Sequence, residues 1–315
     1  TLSTRKNRSC ELLGHRFRNI SCYNFPMTNV PTMPEKNEYT EVLDTRKAFI
    51  QALRAKIWKI VLAVLFTILW IFGVFKFVSV VPIEGDSAII IFALPVIGII
   101  FWLNIIYSEV RKAFWKQLAL KYKWIYTSTK DISVEKSLLF NIGHSKNASN
   151  GIMGDYNNLP LQIFEYEYTV GSGKNKRIYS FTVFEVKFKG TFPHLYLNYT
   201  NDWYSNSPSI FSSFTKISLP QEFANRFKLY VPKEYEIEAL QIFTPDIFSL
   251  LLDSNWNHDM EFVDGELIIY SNKKFNNFTD LDNELNKIKE FVDILSPLLN
   301  KFKLHQIGDY PSSLK

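Results

Sequence analysis

The chain has little of what catalytic and disulfide-built proteins usually require. Only two cysteines occur in 315 residues, Cys10 and Cys22. Both fall in the first 22 positions, so the rest of the chain has neither a disulfide framework nor a thiol nucleophile. The five histidines, His15, His144, His194, His258 and His305, lie far apart. No HExxH motif or His/Cys cluster offers metal-ligand spacing, and neither a metal nor an organic cofactor is expected. The GxSxG turn of serine hydrolases is absent. Gly171-Ser172-Gly173-Lys174 has a passing likeness to a phosphate-binding loop. It lacks the first glycine at the required spacing, however, and Asn175 stands where a hydroxyl would hold magnesium, so these glycines read as a hairpin turn. With no catalytic constellation in view, the sequence leans away from an enzyme, and no catalytic residue is assigned.

A basic surplus is missing from most of the chain as well. The formal net charge is +5, but residues 1–32 contribute +4 of it, with five basic and one acidic side chain. Residues 108–315 carry 24 of each sign and are neutral. Nothing there would neutralise a run of phosphates, so no nucleic-acid partner is expected. Residues 1–32 also lack hydrophobic periodicity. They are expected to be an unstructured tail, either from a translation start placed too far upstream or as a basic tail on an anionic membrane surface.

Apolar sequence is abundant: 47% hydrophobic and 16% aromatic, which excludes disorder over the whole chain. The average conceals two runs. Ile60 to Phe75 holds sixteen residues without a formal charge, and the apolar run resumes after Lys76 to Val81. Ala88 to Tyr107 holds twenty more. At ~1.5 Å per residue, either run as a helix covers about 30 Å, the thickness of a bilayer hydrocarbon core. The flanks carry Arg46, Lys47, Arg54, Lys56 and Lys59 on one side and Arg111, Lys112, Lys116, Lys121 and Lys123 on the other, while the connecting loop carries only Glu84 and Asp86. The positive-inside rule places both termini in the cytoplasm of such a hairpin. Pro95 and Gly98 predict a kink in the second helix, and Asn104 an interhelical hydrogen bond.

The expected organisation is therefore a tail (1–32), an amphipathic juxtamembrane helix (33–59), a transmembrane hairpin (60–107), a basic juxtamembrane helix (108–130) and a cytosolic α+β domain (131–315). Trp115 and Trp124 are expected at the membrane interface. In the α+β domain, Leu161–Val170 and Arg177–Val183 alternate in phase about the glycine loop. Folding there pairs Tyr168 with Tyr179, Tyr166 with Phe181 and Phe164 with Val183 on one face. Glu167 then opposes Ser180, and Glu165 opposes Thr182, on a solvated face. A change of phase at Phe184, Val186 and Phe188 predicts a bulge.

A second hairpin is expected around Asp264-Gly265, with short strands at 216–219 and 228–231. Thr244-Pro245-Asp246 opens a helix. A final helix from about Thr279 to Pro297 buries Leu281, Leu285, Ile288, Val292 and Leu295. Glu234, Glu236 and Glu238 read as one face of a strand, and Asn141 to Gly151 as a polar loop. The antiparallel sheet with packed helices makes the class α+β.

Phe164-Glu165-Tyr166-Glu167-Tyr168, Tyr179-Ser180-Phe181-Thr182-Val183-Phe184, Tyr235 to Leu240 ending in Phe243-Thr244-Pro245, and Gly265-Glu266-Leu267-Ile268-Ile269-Tyr270 together resemble an uncharacterised family of bacterial membrane-anchored proteins. The resemblance spans roughly residues 40–300. It implies bacterial origin and architecture but transfers no activity.

The leading expectation is a binding or scaffolding module held at the inner membrane, with lipid and an unidentified protein as partners and self-association compatible with the sequence. Lys174, Lys176, Arg177, Arg111, Lys112 and Lys116 are the candidate contacts to lipid or partner. The rivals are a membrane-tethered enzyme and a subunit of an oligomeric transport assembly.

Overall fold

A computed structural model describes residues 47, 50, 51, 54, 57–80, 87–132, 137–188, 192–200 and 213–301. The chain divides into a unit up to Thr40 and a unit from Glu41 onward, and all described residues belong to the second. The expected tail, most of the expected helix at 33–59, the loop between the two apolar runs and His305 lie outside the described residues.

The first apolar run forms a helix, α1 (Ile57–Val80). The second forms α2 (Ser87–Tyr122), a single element of 36 residues that includes Pro95. The helices contact each other. Their described apolar side chains face outward along α1, from Trp58 through Leu62, Phe66 and Leu69 to Phe75, and along α2 at Val96, Ile97, Ile100 and Phe101. Among the described residues no helix is long and apolar enough to cross a membrane. Their side chains are described without a break only over 61–76 in α1 and from 96 onward in α2. The two apolar runs thus form a pair of contacting helices.

The C-terminal half of α2 has a different environment. Phe114, Trp115 and Leu118 are fully buried, and Trp124 just beyond the helix nearly so. The interfacial role expected for the two tryptophans is overturned. They face the sheet, and Trp124 Nε1 donates to the Asp155 carbonyl at 3.0 Å. A free α-helix would not need these rings, but a helix laid on a sheet buries them with a gain of roughly 2 kcal/mol each.

Among the described residues the sheet has nine strands, all antiparallel: β1 (Ile125–Thr129), β2 (His144–Tyr156), β3 (Leu159–Val170), β4 (Arg177–Lys187), β5 (Leu195–Tyr199), β6 (Thr215–Ile217), β7 (Phe227–Val231), β8 (Asp259–Val263) and β9 (Glu266–Ser271). Their order is β1-β2-β3-β4-β9-β8-β5-β7-β6. The β3–β4 register matches the aromatic pairing read from the sequence, Tyr168 to Tyr179, Tyr166 to Phe181 and Phe164 to Val183. It continues unbroken to Leu161 opposite Val186, so the bulge expected after Val183 is absent. The apparent change of phase arises because Val183 and Phe184 are both fully buried, on opposite faces. Two-sided burial removes the polar alternation that would otherwise mark the pleat.

The irregularities sit in β2 instead, at His144/Asn147 and Ser149/Ile152. That strand corrects the loop expected from Asn141 to Gly151; its Asn, Ser and Gly residues have low strand propensity and gain their order from pairing with β3 and, from Ser149 on, with β1 as well. The second hairpin turns at Asp264 (φ 48°) and Gly265 (φ 82°), the left-handed pair that a two-residue turn requires.

One face of the sheet is covered by α2 and by α4 (Glu236–Ile242), α5 (Pro245–Asp253) and α6 (Phe278–Lys301); α3 (Gln221–Ala224) packs beside β7. The predicted stripe of Leu281, Leu285, Ile288, Val292 and Leu295 is buried throughout. The helix α6 runs past Pro297, beyond its expected end. Pro245 occupies the first turn of α5, but Thr244 makes no side-chain cap. Glu236 and Glu238 lie in α4 and Glu234 in the 3₁₀ turn before it, so the three do not share a strand face.

Trp124 packs closely on the sheet at Gly154, where a Cβ would stand 2.1 Å from Trp124 Cδ1. Gly154→Val should therefore displace the indole. We expect a loss of roughly 2–3 kcal/mol in thermal unfolding, with quenching or a red shift of tryptophan emission. Wild-type emission and stability in that variant would show that the contact is not required.

Candidate functional site

The second face of the sheet is crossed by residues 130–132 and 137–142, the strap, which include a 3₁₀ turn at Leu139–Asn141. Beneath it the strands set carboxylates into an otherwise aromatic surface. Gln162, Glu185, Ile268, Glu261 and Tyr196 are successive cross-strand neighbours in one row over β3, β4, β9, β8 and β5. Glu185 and Glu261 therefore flank Ile268 on the same face, about 10 Å apart at the backbone.

Each of these two acids holds one end of the strap. Glu185 pairs with Lys130, whose ammonium also lies 4.3 Å from the centre of the Phe164 ring. Glu261, which has no exposed surface, accepts from four groups. Its Oε1 takes the Leu138 N–H at 2.8 Å and faces His194 Nε2 at 2.5 Å. Its Oε2 takes Ser137 Oγ at 2.9 Å and the Tyr270 hydroxyl at 2.7 Å. Two residues earlier on the same strand, Asp259 accepts the Tyr196 hydroxyl at 2.9 Å and the Tyr199 N–H at 2.6 Å. Burial, and then the nearby carboxylates, push the Tyr270 and Tyr196 phenols well above their ordinary range, so both remain hydrogen-bond donors at neutral pH.

Where the strap meets β1 and β2 it leaves a cavity of about 430 Å³. Lys130, Lys146 and Asp131 line it, together with Phe140, Ile132 and Ala148. That volume lies within the range of small-ligand sites, and the lining is mostly polar, with Thr129, Asn141 and Asn147 beside the charged groups. The cluster around Glu261 does not have the order of a hydrolytic relay. Ser137 and His194 both bond to the carboxylate, on different oxygens, whereas a relay needs the imidazole between hydroxyl and acid. Among the described residues no group of three His, Cys, Asp or Glu side chains could hold a metal ion.

The candidate contact residues are dispersed. Lys174, Lys176 and Arg177 are exposed at the β3–β4 turn. Lys112 and Lys116 are exposed on α2, Lys116 with its ammonium 5.6 Å from the Tyr126 ring centre. Arg111 is instead buried and does not present itself to lipid or partner. It donates to the Phe275 carbonyl and pairs with Glu165, whose other oxygen accepts Asn150 Nδ2 at 2.6 Å. The solvated face expected for Glu165 is corrected accordingly, because α2 crosses β3 at that point; Glu167, two residues on, is exposed and accepts Ser180 Oγ at 3.0 Å.

His144 is exposed, with Nε2 2.9 Å from the Gly171 carbonyl. His258 is buried 2.7 Å from Glu284 on α6. Burial alone would raise the Glu284 carboxyl, but the hydrogen bond and charge of His258, with Lys287 and Lys273, outweigh it and hold the group below its ordinary value.

Sequence reasoning passed over Glu185, Glu261, Asp259 and Ser137. The available signal was a charged residue inside an apolar strand, as in Phe184-Glu185-Val186 and Met260-Glu261-Phe262.

Comparison with protein-family models gives no match, and neither does comparison with curated proteins. Among solved structures the chain is similar to the mycobacterial trehalose monomycolate transport factor A, TtfA, at 12% identity and a TM-score of 0.42, covering 60% of this chain and 94% of that one. A likeness of that degree carries no functional argument.

Two predictions follow from the buried acids. Glu261→Ala strands four polar groups beneath the strap and should cost about 3 kcal/mol in denaturant unfolding, whereas Glu261→Gln, which keeps part of the network, should cost less than half of that. Equal losses would deny the hydrogen-bond role. Because the Glu284 carboxyl is depressed in the folded state, the stability it contributes is complete above its ordinary value of 4.5 and is lost as pH falls below it. Glu284→Gln should flatten that acid limb, and an unchanged pH profile would contradict the pairing with His258.

Proposed function

We propose that the chain is a membrane-anchored protein whose α+β body is a binding module, held at the cytosolic face of a bacterial inner membrane. The observation that carries this reading is the outward-facing apolar surface of α1 over residues 61–75 and of α2 over residues 96–101. Large side chains such as Phe66, Leu69 and Phe75 stand 61%, 69% and 68% exposed. A continuous apolar surface of that kind is stable in water only if it is covered, and a hydrocarbon layer covers it without a specific partner. The flanking positive charge directs both ends of the hairpin to the cytoplasm. Membership in the bacterial family that the hairpin motifs resemble is part of the same proposal.

Binding by the body is supported by the 430 Å³ cavity at the strap. The partner is proposed to be a protein. The experiment is alkaline carbonate extraction of native membranes, followed by crosslinked capture of the full chain. The chain should remain in the pellet, and a stoichiometric partner should be lost when residues 131–315 are removed. Release into the carbonate supernatant would overturn the anchor, and capture that does not depend on 131–315 would overturn the binding role of the body.

A further inference from the structure

We propose that the outer edge of β1 is a docking site for an extended segment of another protein, a segment in which acidic and apolar residues alternate. The inference rests on the binding-module reading above and adds to it the surface used and the chemistry of the partner. It follows from a difference between the two ends of the sheet.

An antiparallel strand turns alternate backbone N–H and C=O groups to either side, so a strand at the end of a sheet presents a row of them outward. The end strands are β6 and β1. The β6 end is blunt: the strand has three residues, carries Lys216 at its centre, and is followed closely by Pro220. Shortness, lysine and proline are common means of discouraging a further strand. The other end has none of them. Five residues long, β1 contains no charged residue, proline or glycine, and its pairing with β2 runs without a register shift. Among the described residues no strand pairs with its outer side. An edge in that state takes an added strand through main-chain hydrogen bonds.

The surroundings of the edge set the chemistry of that strand. Tyr126 faces α2, with the Lys116 ammonium 5.6 Å from its ring centre. Residues four apart share one side of a helix, so Lys112 and Leu120 stand in line with Lys116 on the flank of α2 beside β1. All three are exposed, and Lys123, exposed at the turn into β1, extends the row. The acids Glu109, a turn before Lys112, and Asp131, just beyond β1, lie at the far end of the row. From Tyr107 to Lys116 the helix advances about 14 Å, which carries the row away from the apolar run and toward a protein partner.

The opposite side of the edge is apolar. Ile125 stands directly across from Met153 of β2, and the two are 62% and 45% exposed. A strand added about 4.8 Å outside β1 sets every second side chain beside the lysine row and the intervening ones beside Ile125 and Met153. Carboxylates suit the first set and aliphatic side chains the second.

The test measures, by fluorescence anisotropy, the binding of labelled peptides to the full chain in phosphatidylcholine nanodiscs. The peptides have about nine residues, enough to span β1, and alternate either glutamate or lysine with valine. Two further forms of the glutamate peptide carry N-methyl groups, one on the glutamate amides and the other on the valine amides. Only one of these sets can face β1, so one methylated form should bind like the parent and the other at least about tenfold more weakly. The glutamate peptide should bind at least about tenfold more tightly than the lysine peptide, and Lys112→Glu with Lys116→Glu should remove that preference. Ile125→Glu should weaken the glutamate peptide at least about fivefold with the thermal midpoint unchanged.

Absence of binding by the glutamate peptide, or equal effects of the two methylation patterns on the wild-type chain, overturns strand addition at β1. Equal binding of the glutamate and lysine peptides overturns the charge recognition. A captured partner that is lost on removal of 131–315 but retained by the chain with Lys112→Glu, Lys116→Glu and Ile125→Glu overturns the edge as its docking site and leaves the binding role of the body standing. Capture that does not depend on 131–315 overturns both.

Discussion

Between Ile105 and Phe114 a single uninterrupted helix exchanges an exposed apolar surface for a fully buried one. The rest of the architecture depends on that exchange. A helix has no internal joint at which the two halves could turn independently, so whatever holds the first half also fixes the direction of the second. The buried half is clamped to the sheet by Phe114, Trp115 and Leu118 and by the Arg111 pair with Glu165. The ion pair is sheltered, and its remaining valences are taken up by the Phe275 carbonyl and Asn150. A sheltered charge pair holds a register only when its other hydrogen bonds are satisfied in this way.

The sheet responds to being covered on both sides. On the helix side it presents aliphatic and phenylalanine side chains to α2, α5 and α6. On the strap side it presents tyrosines and buried acids. So short a cover cannot supply the apolar area of the helices on the other face. The strap is held instead by directed bonds, Lys130 to Glu185 at one end and Ser137 and Leu138 to Glu261 at the other. Such a cover is specific in position and leaves space at its edge, which is where the cavity beside Lys130 and Lys146 opens.

Much of the body was legible because its local signals agree with its global fold. The β3–β4 register followed from alternation about a glycine turn, the second hairpin from Asp264-Gly265, and the α6 stripe from its 4-3-4-3 spacing. The readings that failed share a cause. The bulge after Val183, the interfacial Trp115 and Trp124, the solvated Glu165 and the loop at Asn141–Gly151 were all inferred as if each segment faced solvent on one side. Each of those segments is packed or paired on both, which erases the polar-apolar alternation on which the inference depends.

The sequence by itself determined the two apolar runs, the sign and placement of charge around them, the hairpin registers and the mixed helix and sheet class, because these depend on neighbours within a few residues. The tertiary structure alone decided that Glu185 and Glu261 stand in one row and that Arg111 is buried against Glu165. Those relations join residues more than fifty positions apart, and their geometry is set by the order of nine strands and the line of one helix across them, which no local pattern encodes.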